Sequence, residues 1–451
     1  MKSVLSAFSY YGGKARMAPL ICDMLDYEHT TIYIEPFGGG ARTLLNKPRH
    51  EVEIYNDANA GLCAFMRIMG DPERSQKLID MLFQSDYSPE EFYLALAYCN
   101  RFEDNYIDEF ARLLSSYLKF LYKKYKIPAL QNARKELGNM EHKKSGLIDL
   151  SIINPVSQFG SLTVQEATTL NDLCVQFEDA QNLFRNLYEE EYDSIIDNFD
   201  ELKLVIVHEW DKRIKEVKAD NSLTEEEKQE RIKKYRAEKK RFKDISYEDL
   251  AGKEKKVFDR LAADRVYDIV HDEFSNSIYQ SMETVDDMKL AYSTYIVYSQ
   301  SRDGMGKDWS GARFKSTFDY HGYVSNLYDV ADRLKGVEVQ QAGALAFLLN
   351  ENYLNRKDVC FYLDPSYLKP EDEQKNLGGT YKFSSDYNAH ELLLKTICNA
   401  KARILLSNYD LPLYNKYLTP ARGWHRMEFE TKTTVGGAKD NKRTEILWWN
   451  Y

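Results

Sequence analysis

Short apolar runs bounded by turn residues recur near the start of the chain and again over its last third. The runs at 31–34, 52–55, 359–363 and 404–406 each have the length of a buried strand, and helical periodicity follows the second. Strands that alternate with helices predict a mostly parallel, doubly wound α/β sheet. A last apolar run, 445–449, predicts a strand close to the end of the chain.

The middle of the chain, roughly 72–290, lacks this alternation, and its pattern predicts mainly helices. Its most distinctive segment, 212–243, contains 13 Lys and Arg against 7 Asp and Glu. A capping-box pattern at 224–227 predicts a helix start there, and the sparse apolar positions predict a solvated helical hairpin. The expected organisation is one α/β domain, 1–71 with 291–451, split by a large helical insertion.

Composition narrows the class of protein. The chain has 451 residues, 43% of them hydrophobic, and a net charge of -10, which counts against a non-specific DNA coat but allows an enzyme with its basic residues on one face. The six cysteines are scattered without a C-x-x-C pair, which argues against structural zinc and disulfides. We expect no metal, no membrane segment and a cytoplasmic location.

Glycine-rich stretches at 11–14 and 35–41 accompany two carboxylates, Glu35 and Asp57, that end predicted strands. Ligands of a doubly wound sheet bind beyond the carboxyl ends of its strands, and glycines let a ligand approach the backbone. A plain strand-to-helix turn would explain the glycines alone. The carboxylates favour a ligand with an amino group and ribose hydroxyls, because ionised carboxylates accept such hydrogen bonds strongly.

A second group of polar residues, Asp364-Pro365-Ser366-Tyr367, follows the run 359–363. The Asp364 carboxylate and the Pro365 carbonyl can each accept one hydrogen of a planar amine, and Tyr367 can stack on the ring that carries it. An Asp-Pro pair after a strand is commonly just a turn. Its combination with the glycine loop is more specific for an amine-binding site.

Together these motifs resemble those of the Dam-type, D12 class DNA adenine-N6 methyltransferases, in the order of the α group of that family. Further similar segments lie at 302–306, 406–410 and 443–451, and the resemblance covers about 1–70 and 290–451. It implies a Rossmann-like, site-specific methyltransferase that moves a methyl group from S-adenosylmethionine to the N6 amine of adenine in duplex DNA. The target base would be flipped out of the helix.

The resemblance also implies a role for each matching residue. The cofactor-binding residues would be Tyr10, Tyr11, Gly12, Lys14, Glu35, Pro36, Phe37, Gly38, Gly39, Gly40, Asp57 and Asp364. The catalytic residues around the target adenine would be Asp364, Pro365, Ser366 and Tyr367. Candidate DNA contacts are Arg302, Lys439, Lys442 and Arg443. The insertion 72–290 would recognise the target site, and a restriction endonuclease of the same system remains open as a partner.

Two positions depart from the family pattern. Ser366 stands where a second proline is usual, and Gly343 stands where relatives often place an acidic residue against the adenine of the cofactor. Two alternatives therefore stay open, a methyltransferase-like DNA-binding or regulatory subunit without turnover and an enzyme for another planar amine. Relatives that act on cytosine usually carry serine in place of Asp364, and those that act on amides carry asparagine, which favours adenine.

Overall fold

The computed structural model describes residues 4–102, 106–140, 160–197, 199–220, 223–243, scattered positions between 252 and 269, 286–350, 352–368, 387–432 and 442–451. The chain divides into two compact units. The first combines Met1–Cys99 with Thr284–Tyr451, and the second is Asn100–Glu283. Each unit is described by itself below.

The first unit contains a seven-stranded sheet in the order β3-β2-β1-β4-β5-β7-β6. Its strands are β1 (Ile32–Glu35), β2 (Val52–Asp57), β3 (Glu338–Gln341), β4 (Val359–Leu363), β5 (Arg403–Tyr409), β6 (His425–Lys432) and β7 (Lys442–Trp449). The strands β1 to β5 are parallel, and β7 runs antiparallel to both of its neighbours. The predicted mostly parallel α/β sheet is therefore confirmed.

The described helices, in chain order, are α1 (Ala18–Met24), α2 (Arg42–Asn46), α3 (Ala60–Gly70), α4 (Pro72–Phe83), α5 (Pro89–Asn100), α6 (Tyr106–Tyr125), α7 (Pro128–Met140), α8 (Val164–Asp197), α9 (Phe199–Ala219), α10 (Glu225–Lys243), α11 (Asp287–Gln300), α12 (Thr317–Val324), α13 (Leu327–Leu334), α14 (Ala344–Asn350), α15 (Tyr387–Ile397) and α16 (Pro412–Tyr417). Five of them, α6 to α10, lie in the second unit. The helical character predicted for the middle of the chain is confirmed for these described residues.

The central strands are buried on both faces, and every residue of β1 and β4 is buried. One face carries Ile34, Phe361 and Ile404, which share a core cluster with residues of α14, α15 and α16. On the sheet's other side, α3 packs on β2, β3 and α11. Parallel strands covered on both faces consist of nearly continuous apolar residues, which is why these strands were predictable.

The first unit extends further into the chain than the sequence pattern indicated. The boundary after Cys99 places α4 and most of α5 with the sheet, whereas the insertion was expected to begin at residue 72. Leu78 and Leu82 of α4 are fully buried, and α4 packs on α3, α11 and α13. The apolar stripe of α4 is therefore covered by neighbours within the first unit.

None of the described helices combines the length and apolar character needed to cross a membrane.

The second unit is built from packed helices. Phe110 of α6 stacks on Phe177 of α8, with ring centroids 5.2 Å apart. The helix α10 starts with the predicted capping box, because the Glu227 amide donates to the Thr224 hydroxyl (3.3 Å) and the Glu227 carboxylate accepts from the Thr224 amide (2.8 Å). Contacts between α9 and α10 include a ring pair of Trp210 and Tyr235, so the predicted helical hairpin is present.

Candidate functional site

The order of the strands reverses between β1 and β4, since β2 and β3 continue from β1 on one side and β5 continues from β4 on the other. In doubly wound sheets, ligands bind at this switch point, beyond the carboxyl ends of the strands. A cavity of about 420 Å³ lies there. It is lined by all predicted cofactor and catalytic residues: Tyr10, Tyr11, Gly12, Lys14, Glu35, Pro36, Phe37, Gly38, Gly39, Gly40, Asp57, Asp364, Pro365, Ser366 and Tyr367.

The glycine turn after β1 forms one wall of this cavity and has no room for side chains. A Cβ atom on Gly38 would lie 2.2 Å from the ring of Tyr55. Gly39 has a φ of +48°, in the left-handed region that favours glycine. The chain therefore presents bare backbone to the cavity, and a larger residue at Gly38 would have to displace Tyr55.

Asp57, at the end of β2, is fixed by the backbone around it. Its Oδ2 accepts a hydrogen bond from the Gly39 amide and its Oδ1 one from the Asn59 amide, both of 2.8 Å. Burial raises the pKa of Asp57, and these backbone hydrogen bonds act in the opposite direction. The carboxylate is thus held in one orientation where it lines the cavity.

Glu35, the last residue of β1, is a buried carboxylate, with 2% of the residue exposed. Its Oε1 accepts from the Tyr33 hydroxyl (2.6 Å) and from the Leu44 amide (2.7 Å). Burial raises the pKa of Glu35 to about 7, against the effect of these two hydrogen bonds. Burial disfavours the ionised carboxylate, and a cationic ligand beside it would stabilise that form. Glu35 is therefore suited to binding a cationic ligand.

Asp364 follows β4 and reaches the same cavity. Its Oδ1 accepts a hydrogen bond from the Ser407 hydroxyl (2.9 Å) and forms an ion pair with the Lys14 ammonium (2.9 Å). Burial raises the pKa of Asp364, and Lys14 and Ser407 oppose this increase. The arrangement provides a fixed hydrogen-bond acceptor beside the glycine turn.

Tyr367 is held by three neighbours. Its hydroxyl donates to Glu445 Oε2 (2.8 Å), and Tyr409 packs edge-on against its ring, with centroids 4.7 Å apart. The Lys14 ammonium lies over the ring, 4.4 Å from the centroid. The ring orientation is therefore fixed before any ligand binds, which suits a stacking surface.

Three further residues contact the predicted site residues: Ser407, Tyr409 and Glu445. No role was predicted for them from the sequence. Ser407 and Tyr409 end β5, next to β4, and Glu445 faces Tyr409 across the β5–β7 pair. Because β7 is antiparallel, its beginning lies at the edge where the parallel strands end. The only indication of these residues in the sequence is the similarity of the segments 406–410 and 443–451 to the family motifs.

The predicted DNA contacts are placed in part. Arg302 is exposed in the short 3₁₀ segment Arg302–Gly304, and the Gly304 carbonyl accepts from the amide of Tyr11, a cavity residue (3.2 Å). Lys442 and Arg443 begin β7. Lys439 lies outside the described residues. The DNA-binding role of all four stays a prediction.

The two departures from the family pattern both line the cavity. Ser366 lies in the loop after β4, and Gly343 lies in the loop after β3. The cavity wall at the end of β3 is formed by four residues without a carboxylate: Gly343, Ala344, Leu345 and Ala346.

Within the described part of the chain, no group of three or more His, Cys, Asp or Glu residues is arranged to hold a metal ion.

Comparison with known proteins adds one finding. Residues 10–144 match the family model described as D12 class N6 adenine-specific DNA methyltransferase. The matched segment contains the glycine turn, Glu35 and Asp57. No curated protein shows significant similarity to the chain.

Proposed function

We propose that the chain, whose residues 10–144 match the D12 class N6 adenine-specific DNA methyltransferase model, transfers the methyl group of S-adenosylmethionine to the N6 amine of adenine in duplex DNA. The matching family model supports DNA adenine methylation and a methyl donor in general. The observation that carries the finer proposal is the single cavity that joins the glycine turn and Glu35 to Asp364 and Tyr367.

The residues of the cavity fit this methyl donor. S-Adenosylmethionine carries an ammonium, a sulfonium and two ribose hydroxyls, and three carboxylates line the cavity at Glu35, Asp57 and Asp364. Glu35 would accept from the ammonium, and Asp57 would accept from the ribose hydroxyls. The bare backbone at Gly38 and Gly39 would allow close approach of the ligand. When bound, the donor supplies an electrophilic methyl group.

The residues after β4 would position the target amine. The lone pair of the adenine amine is delocalised into the ring, so the amine is a weak nucleophile. Asp364 and the Pro365 carbonyl would each accept one amine hydrogen and favour a pyramidal nitrogen with its lone pair directed at the methyl group. Extrusion of the base from the duplex costs a few kcal/mol. Stacking on Tyr367 would offset about 1–3 kcal/mol of this cost.

The second unit, Asn100–Glu283, is proposed to recognise the target site. Exposed basic residues of α10 include Lys233, Lys234 and Arg236, which gives this helix the charge needed for contact with phosphates. A solvated helix face would have the same pattern. A Lys233→Gln, Lys234→Gln double variant should bind duplex DNA more weakly than the wild type and with a lower salt dependence, as measured by titration of a labelled duplex at several salt concentrations.

The raised pKa of Glu35 predicts that binding of the methyl donor depends on pH near neutrality. The ammonium of the donor needs the ionised carboxylate, so affinity should fall as the pH decreases through about 7, the pKa of this group. Calorimetric titration with S-adenosylmethionine at pH values from about 5.5 to about 8.5 measures this dependence. An affinity that is constant over this range would contradict the role of Glu35.

The proposal is tested by incubation of the purified protein with methyl-labelled S-adenosylmethionine and unmethylated duplex DNA, followed by nucleoside analysis. We expect the label in N6-methyladenine, and mapping of the labelled sites gives the recognised sequence. Label in a methylated cytosine would instead support a different planar amine. Donor binding without transfer to any DNA would support the alternative of a regulatory subunit.

A further inference from the structure

The ammonium of Lys14 lies against two of the groups proposed to hold the target base. Its Nζ is 2.9 Å from Asp364 Oδ1 and 4.4 Å from the centroid of the Tyr367 ring, and it donates to the Gly12 carbonyl at 3.0 Å. The Lys14 side chain is only 8% exposed. One amine, supplied by the protein itself, therefore engages both the acceptor and the ring assigned to the substrate.

Lys14 and a target base would compete for these two groups. A base stacked on Tyr367 would compete with the ammonium for the ring, and its amine would compete with the ammonium for the Asp364 carboxylate. We propose, on the basis of the proposed function, that Lys14 is a stand-in for the target amine, which occupies the base site of the DNA-free protein and is displaced when the base enters. Lys14 is then a positioning residue whose departure opens the site.

The charge of Lys14 explains why such a stand-in would be useful. Burial raises the pKa of Asp364, and the first opposing influence is Lys14. A protonated carboxyl group has a hydrogen to donate and is a weaker acceptor than a carboxylate. Lys14 therefore opposes the effect of burial on the pKa of Asp364 and favours the ionised form until the target amine arrives. An ammonium has no lone pair, so the stand-in is not itself a methyl acceptor.

The surrounding backbone allows the side chain to move alone. The Lys14 carbonyl accepts from the amide of Ala18 at the start of α1 (2.7 Å), and the Tyr11 amide is bound to the Gly304 carbonyl. The backbone on either side is thus held by hydrogen bonds. The four-carbon stem of lysine has freely rotating bonds, so the ammonium can leave the site by rotamer changes.

The test uses the full-length protein and a duplex with 2-aminopurine in place of the adenine mapped by the methylation assay. Fluorescence of this base rises when it leaves the stack. Lys14→Met keeps the stem and removes the charge, and Lys14→Gln is a second variant in case the first is unstable. Lys401→Met is the matched control. Lys401 is exposed and lies just before β5, at the end of this strand that is farther from the cavity.

We expect Lys14→Met to extrude 2-aminopurine more completely than the wild type at pH 8.5, with binding of the duplex tighter by about tenfold because the internal competitor is gone. The acid limb of the kcat/KM profile should move to higher pH, because kcat/KM reports the free enzyme, in which Lys14 pairs with Asp364. The acid limb of kcat should stay in place, because Lys14 has left in the bound complex. The other carboxylates near Asp364, Glu35 on β1 and Glu445 on β7, are unchanged in the variant.

The inference is wrong if Lys14→Met extrudes the base no better than wild type, or if the acid limbs of kcat and kcat/KM move together. The second result would mean that Lys14 remains beside Asp364 during transfer. Failure of the proposed function gives a different result, since the wild type would then neither methylate adenine nor extrude 2-aminopurine. That outcome would remove the inference together with its basis.

Discussion

We expect Asp364→Ala to lower kcat for methyl transfer by about 100- to 1,000-fold, the usual cost of removing one preorganised polar group from a transition state. Asp364 is the side chain that would accept a hydrogen of the target amine. The affinity for S-adenosylmethionine should stay within a few-fold, because Glu35 and Asp57 remain in place. The measurement is single-turnover methyl transfer alongside calorimetric titration of the donor.

Asp358→Ala is the matched control for this variant. Asp358 directly precedes β4, at the end opposite to Asp364, and its side chain is 43% exposed and pairs with Arg356. The control should transfer methyl groups at close to the wild-type rate. Undiminished turnover of Asp364→Ala would remove Asp364 from the proposed mechanism.

The second large effect is expected for Glu35→Gln, which should lose most of the affinity for the methyl donor yet be more stable without it. The folded protein holds the pKa of Glu35 at about 7, above its ordinary value of 4.5. The folded state therefore binds more protons between these pH values, so Glu35 makes the protein less stable as the pH rises through this window. Glutamine removes this penalty, and the free energy of unfolding at pH 8 should increase by up to about 3 kcal/mol.

Glu53→Gln is the control of opposite sign. Burial raises the pKa of Glu53, but ion pairs with Arg333 and Lys47 outweigh it, and the net pKa is lowered. Loss of these ion pairs should destabilise the fold by about 3 kcal/mol or more. Thermal unfolding of both variants at pH 8 and pH 5 compares them. A Glu35→Gln variant that is less stable than the wild type at pH 8 would contradict the stability penalty expected from the raised pKa of Glu35.

The sequence predicted the part of the fold in which both faces of a strand are covered. The runs at 31–34 and 359–363 correspond closely to β1 and β4, because these strands are apolar throughout. β6 was not predicted. It lies at the sheet edge and reads His-Arg-Met-Glu-Phe-Glu-Thr-Lys, with too few apolar residues to stand out from a loop.

The site was predictable to the extent that its residues directly follow predicted strands. Glu35, Asp57 and Asp364 all do, and the parallel arrangement of β1, β2 and β4 brings their ends to one edge. The contact of Glu445 with Tyr367 joins residues 78 positions apart. It depends on β7 inserting antiparallel between β5 and β6, which the hydrophobic pattern does not specify.

The most direct test of the proposed mechanism is a crystal structure of the protein with S-adenosylhomocysteine and a duplex containing its mapped recognition sequence. The proposed mechanism predicts an extrahelical adenine stacked on Tyr367, with N6 about 3 Å from both a carboxylate oxygen of Asp364 and the Pro365 carbonyl oxygen. A target amine bound away from both oxygens, or an adenine that remains paired within the duplex in the methylation-competent complex, would contradict it.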